Sequence, residues 1–132
     1  MSHILVIEDD VQFREMLVQM LRLDGHEVAI AVDGSEALTL LQSVKPDLII
    51  TDILMPNLDG IEIIMDLSRR GADIPIIAMS GGRRAVTATF NLASAEVLGV
   101  AATLAKPFAR ADLREAIACA LPKSKFSRSI AS

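Results

Sequence analysis

Four short apolar runs in this chain each stop at a polar side chain: residues 3–7 at Glu8-Asp9-Asp10, 48–51 at Asp52, 74–79 at Ser80 and 100–105 at Lys106. Brief runs rich in Ile and Val, without polar alternation, are the signature of strands buried on both faces, as in parallel sheets covered by helices. In an open parallel sheet the carboxyl ends of the strands line one edge, and ligands bind there. Acids, a hydroxyl and an ammonium that are far apart in sequence would then converge on one pocket.

The segments between these runs read as helices. Over residues 11–23 the apolar positions Phe13, Met16, Leu17, Met20, Leu21 and Leu23 recur at helical spacing, and Gly25 supplies a stop. Residues 28–32 read as a second strand. Asp33-Gly34-Ser35 then supplies a turn and a helix cap before Ala37, Leu38, Leu41 and Val44, with Pro46 closing that helix. After Asp52, Met55-Pro56-Asn57 breaks regular structure, and Asp59-Gly60 leads into a third helix carrying Ile61, Ile64, Met65 and Leu67, ended by Arg69-Arg70-Gly71. Residues 86–98 are compatible with a fourth helix and 111–121 with a fifth. Five strand–helix alternations predict an α/β fold with a doubly wound parallel sheet.

A length of 132 residues supports one core, expected over residues 1–121. Residues 122–132 change composition, with Lys123, Lys125 and Arg128 among serines, and read as a flexible basic tail. The net charge of −4 provides no general basic field, and no Lys/Arg cluster interleaves with aromatics, which argues against direct nucleic-acid binding. The chain enters a strand almost at once, without a signal-peptide pattern, and has no run of membrane-spanning length, so the expected location is cytoplasmic and away from the membrane. The single cysteine, Cys119, falls in a helical pattern where a small apolar residue would fit, and is expected to be a buried, inert thiol.

Carboxylates held close together repel, which raises at least one pKa unless a cation intervenes. The all-oxygen set Glu8, Asp9 and Asp52 suits Mg²⁺, and no Cys/His grouping suggests zinc. Asp52 stands alone at its strand end and is the best nucleophile candidate, since carboxylates form aspartyl-phosphate intermediates. Lys106 could pair with Asp52 at rest and with a phosphoryl oxygen afterwards, while Ser80 could donate its hydroxyl to another. Each residue also has an ordinary reading as a cap, a solvated charge or a loop former. Their joint placement at strand ends is what favours chemistry.

On these residues the chain resembles the receiver domain of two-component response regulators from His3 to about Leu121. The motifs are Ile4-Leu5-Val6-Ile7-Glu8-Asp9-Asp10, Asp52-Ile53-Leu54-Met55-Pro56 with Asp59-Gly60, Ser80, and Lys106-Pro107-Phe108. The resemblance implies a flavodoxin-like five-stranded parallel sheet of order 2-1-3-4-5 with five helices. It implies a phosphoryl group accepted on Asp52 from a histidine kinase or phosphotransfer protein. Mg²⁺ would be held by Glu8, Asp9, Asp52 and the backbone carbonyl of Leu54. Asp10, just beyond the acidic pair, would either support that pair from behind or start the first helix, and the Lys106–Pro107 peptide bond would be cis.

Receivers couple phosphorylation to their surface through a Ser/Thr hydroxyl, here Ser80, and an aromatic residue on the fifth strand. Thr103 stands at the aromatic position, and the chain has no Tyr or Trp. The interval from Ser80 to Lys106 is longer than usual and contains Gly81-Gly82-Arg83-Arg84, which reads as a surface-loop extension or as a phosphate-side or partner contact.

The expected function is a phosphorylation-dependent switch or phosphorelay carrier without an attached output domain. It would act on a downstream protein target as a monomer or weak homodimer, and would not be a conventional enzyme. The alternative is a receiver-fold interaction module whose binding does not depend on phosphorylation. A flavodoxin-like cofactor binder would need a phosphate-cradling loop where this chain is acidic, and a metal-dependent phosphohydrolase would need a covering domain.

Overall fold

A computed structural model describes residues 2–52, 66, 74–80 and 100–121. Five parallel strands, β1 (His3–Ile7), β2 (Glu27–Ala31), β3 (Leu48–Asp52), β4 (Ile76–Ser80) and β5 (Ala102–Ala105), form one sheet in the order β2-β1-β3-β4-β5. This is the order implied by the resemblance. The helices among the described residues are α1 (Val11–Leu23), α2 (Gly34–Leu40) and α3 (Arg110–Ala120). Of the helix expected between β3 and β4 only Asp66 is described, and it is helical; the helix expected between β4 and β5, and the tail at 122–132, lie outside the described residues.

Alternation along the central strands divides the core in two. Ile4, Val6, Leu48, Ile50, Ile77, Met79 and Leu104 pack with Leu17 and Leu21 of α1 and with Leu113, Ala116 and Ile117 of α3. Leu5, Ile7, Ile49, Ile76 and Ala78 face the other way, toward Ala37 of α2. Residues one apart in a strand point to opposite faces, so a strand covered on both sides must be apolar at every position. That is why these runs lack polar alternation.

The ends of α1 are set by local chemistry. Asp10 caps it, its carboxylate accepting from the Phe13 backbone N–H at 3.0 Å. At the other end Gly25 adopts φ +88°, His26 N–H donates to the Leu21 carbonyl at 3.1 Å and Gly25 N–H to the Arg22 carbonyl at 3.0 Å. This is a Schellman arrangement, which places glycine in the left-handed position after the helix. Asp33 caps α2 in the same way as Asp10, accepting from Glu36 N–H at 2.9 Å.

Several boundaries differ from the sequence reading. Helix α2 ends at Leu40 rather than running to Val44, because Gln42 and Ser43 donate to carbonyls only three residues back, at 3.2 and 3.0 Å, and the last turn tightens. β4 starts at Ile76 rather than at residue 74, since Pro75 has no N–H to give the ladder. β2 lies one residue earlier than expected, β5 is confined to four residues, and α3 starts and ends one residue earlier than the periodicity predicts.

Cys119 is exposed, which corrects the expectation of a buried thiol. The buried stripe of α3 is Leu113, Ala116, Ile117 and Ala120, and Cys119 falls to its side. Helix phase decides its exposure, and a small apolar side chain is tolerated on either side of that boundary.

The end of α1 is tied to α3 by a charge cluster. Asp24 accepts from Arg114 Nη2 at 2.8 Å and from the Arg110 guanidinium. Hydrogen bonds from Arg114 and then Arg110 hold its carboxyl well below the usual carboxylate range. A depressed carboxylate stabilises the fold above its unfolded pKa, and that contribution fades as pH falls through the folded value. Asp24→Asn is expected to lower the thermal midpoint at neutral pH, with the difference from the native chain narrowing only below about pH 4, as followed by circular dichroism. Leu17→Ala, at a fully buried position of the α1–sheet core, should cost about 2–5 kcal/mol in urea denaturation.

Candidate functional site

The register of the sheet assembles the site. Ile7 pairs with Thr51, Asp52 with Met79, and Ser80 with Ala105, so the carboxyl ends of β1, β3, β4 and β5 finish at nearly one level. The ladder also runs one residue past β1 and β5. Glu8 N–H donates to the Ala31 carbonyl at 3.1 Å and Lys106 N–H to the Ser80 carbonyl at 2.7 Å. Glu8 and Lys106 therefore leave the sheet from fixed backbone positions.

Alternation then sorts the side chains. Glu8 continues the series Ile4–Val6, Asp52 the series Leu48–Ile50, and Lys106 follows Leu104, all on the α1/α3 face. Ser80 continues Ile76 and Ala78 on the opposite face, as does Thr103, which is the ladder partner of Ala78. Among the sequence-predicted residues, Glu8, Asp9, Asp52 and Lys106 are brought together. Ser80 closes the same edge from the other side, its hydroxyl buried and without a hydrogen-bond partner among the described residues.

Lys106 is the centre of the cluster. Its Nζ donates to Asp52 Oδ2 at 2.8 Å and to Glu8 Oε1. The ammonium lies 4.2 Å from the centroid of the Phe13 ring, and that ring meets Phe108 edge-on at 5.5 Å and 83°. Glu8 is further held by the Asp10 N–H, which donates to Oε2 at 3.2 Å, while Arg14 Nη1 donates to the Glu8 carbonyl at 3.0 Å. The Lys106–Pro107 peptide bond is cis, as the resemblance implied.

Burial pushes the Glu8 carboxyl up to about 7, and the neighbouring Asp52 charge adds to this, although the Lys106 hydrogen bond opposes it. Burial alone would pull Lys106 down, but its bonds to Asp52 and Glu8 outweigh that and hold the ammonium above its ordinary value. One ammonium thus stabilises two carboxylates and leaves the site short of positive charge. Oxygen atoms of Glu8, Asp9 and Asp52 lie within 4.8 Å of one another, with Asp9 exposed and the other two buried. This hard-oxygen set fits Mg²⁺, with an open side for the waters that ion retains. The Leu54 carbonyl, expected to complete the set, lies outside the described residues, as do Met55-Pro56, Asp59-Gly60 and the Gly81-Gly82-Arg83-Arg84 loop.

Phe13, Phe108 and Arg14 belong to the site but were not singled out as site residues from the sequence. Phe13 reads there as a core position of α1, and only its place three residues after the Asp10 cap hints that it faces the strand ends.

The family model for the response regulator receiver domain matches residues 4–118. The response regulator MprA of Mycobacterium avium is 36% identical over 126 residues, covering 92% of this chain and 52% of that protein. MprA of Mycolicibacterium vanbaalenii is 43% identical over 77 residues, which is 58% of this chain and 33% of its own length. This chain therefore spans about half or less of the curated relatives it matches. Among solved structures, the receiver domain of the Francisella response regulator 1452 aligns with a TM-score of 0.79 at 28% identity, covering 90% of this chain and 96% of that one. The chemotaxis protein CheY4 of Vibrio cholerae aligns with a TM-score of 0.81 at 28% identity, covering 92% and 99%.

A divalent cation entering beside Glu8 must displace the proton that burial favours there. Mg²⁺ affinity, measured by calorimetry, should rise about tenfold per pH unit up to about pH 7 and flatten above it. Glu8→Gln should bind the ion weakly and lose that slope. With the sheet order β2-β1-β3-β4-β5 and the family model matched over residues 4–118, this chain belongs to the response regulator receiver domains.

Proposed function

We propose that Asp52 accepts a phosphoryl group from the phosphohistidine of a histidine kinase or phosphotransfer protein, and that the modified state changes affinity for a downstream protein target. The observation that carries this reading is the contact of Lys106 Nζ with Asp52 Oδ2 at 2.8 Å beside the carboxylates of Glu8 and Asp9. An Asp52 oxygen forms the new O–P bond as the P–N bond of the donor breaks, and its electron pair returns to the imidazole. Lys106 is placed to follow the developing charge from the carboxylate to a phosphoryl oxygen.

Glu8, Asp9, Asp52 and the Leu54 carbonyl would hold Mg²⁺, which offsets the carboxylate charge that otherwise repels the incoming group. The buried Ser80 hydroxyl, which has no hydrogen-bond partner among the described residues, is suited to donate to a phosphoryl oxygen, and the resulting movement of the β4 end would carry the signal. The reading does not depend on an attached output domain. It makes the chain a signalling protein that catalyses only its own phosphorylation and slow dephosphorylation.

Transmission is where a second reading has support. Thr103 sits beside Ala78 on the Ser80 face, where a receiver ordinarily places a swinging aromatic, and it cannot fill the space vacated by a moving Ser80 as a ring would. A binding surface insensitive to phosphorylation follows if that coupling is absent. Labelling by a small acyl phosphate with Mg²⁺ should be abolished in Asp52→Ala, and equal labelling of the two proteins rules out this acceptor. Ser80→Ala should retain labelling but lose most of the phosphorylation-dependent difference in partner capture. If the native chain captures the same partners equally in both states, the phosphorylation-independent reading holds instead.

A further inference from the structure

We propose that Phe13 is a positioning residue for Lys106, its ring face holding the ammonium in register between Glu8 and Asp52. The proposal rests on the reading of Lys106 as the group that follows charge at Asp52, and it adds a determinant on the opposite element.

Two of the three Lys106 N–H bonds have carboxylate partners, Glu8 Oε1 and Asp52 Oδ2. The Phe13 ring lies against the same ammonium at 4.2 Å, and the lysine side chain is only 13% exposed. An ammonium this buried has lost most of its hydration, and an aromatic face restores part of the lost electrostatic stabilisation through its quadrupole. A leucine would fill the same apolar position but present no such face.

The ring is itself held in place. Phe13 occupies the first turn of α1, with its backbone N–H bound to the Asp10 carboxylate at 3.0 Å, and its ring is braced edge-on by Phe108. Phe108 lies two residues after Lys106, so one short segment delivers both the ammonium and the brace for the ring beneath it. Because attraction to a ring face is less directional than a hydrogen bond, the ammonium can pivot from Glu8 toward a new oxygen near Asp52 without leaving the ring.

This makes two effects run in opposite directions. Removing the ring loosens the grip of Lys106 on Glu8, which should allow Mg²⁺ to bind about threefold to tenfold more tightly in Phe13→Leu. At saturating Mg²⁺ the same variant should be labelled by a small acyl phosphate several times more slowly, because the ammonium is less well aimed. Phe13→Tyr, which keeps the ring face, should restore both values. A general loosening of the site would weaken metal binding and labelling together.

The ring also leaves a spectroscopic mark that does not depend on phosphorylation. In the native, metal-free chain the Lys106 ε-methylene protons should resonate upfield of an ordinary lysine through the Phe13 ring current, and Phe13→Leu should abolish that shift. Ordinary shifts in the native chain, or unchanged Mg²⁺ affinity and labelling in Phe13→Leu, overturn the proposal. Loss of the ring-current shift and tighter Mg²⁺ binding in Phe13→Leu, in a chain whose Asp52→Ala variant is still labelled, would remove Asp52 as acceptor and sustain the role of Phe13.

Discussion

One ammonium set among three carboxylates is the constraint around which the described structure is arranged. Glu8 is fully buried and Asp52 nearly so, and burial disfavours the charged form of Glu8. Lys106 supplies one compensating charge, shared between them, and Glu8 remains reluctant to ionise. That deficit leaves a use for a second cation. The apolar strands below the site hold the strand-end groups at nearly one level.

The sheet also separates two tasks by side-chain parity. Charge handling lies on the α1/α3 face, where Glu8, Asp52 and Lys106 follow Val6, Ile50 and Leu104. The hydroxyl of Ser80 and the threonine of β5 lie on the other. Asp52 and Ser80 end neighbouring strands, with Asp52 the ladder partner of Met79, the residue before Ser80. On the α1/α3 face, Asp24 with Arg110 and Arg114 fixes one end of α1 against α3, while Phe13 with Phe108 fixes the other. The helix that carries the cap at Asp10 is anchored at both ends to the segment that carries Lys106.

Much of this was legible in the sequence because it is periodic or local. Apolar runs that stop at acids mark buried strands, and Asp10, Gly25 and Asp33 act on groups a few residues away, so the ends they set could be read in order along the chain. Errors arose where a boundary depended on finer geometry, as with the tightened end of α2, the missing N–H at Pro75 and the helical phase that exposes Cys119. The site residues Glu8, Asp9, Asp52, Ser80 and Lys106 were found by their common position at strand ends. Their partners Phe13 and Arg14 carry no comparable mark, since an apolar or basic residue in a helix usually has an ordinary role, and Phe108 is marked only as the end of the Lys106-Pro107-Phe108 motif.

The sequence by itself determined the strand-and-helix alternation, the family and which polar groups meet at one edge, because hydrophobic period and strand ends are properties of the chain read in order. Only the tertiary structure decided that one lysine is shared between Glu8 and Asp52, that an aromatic face from α1 lies against it, and that Ser80 approaches from the other side of the sheet. Those relations depend on strand register and on residues distant in sequence coming within a few ångströms, and neither is encoded in local spacing.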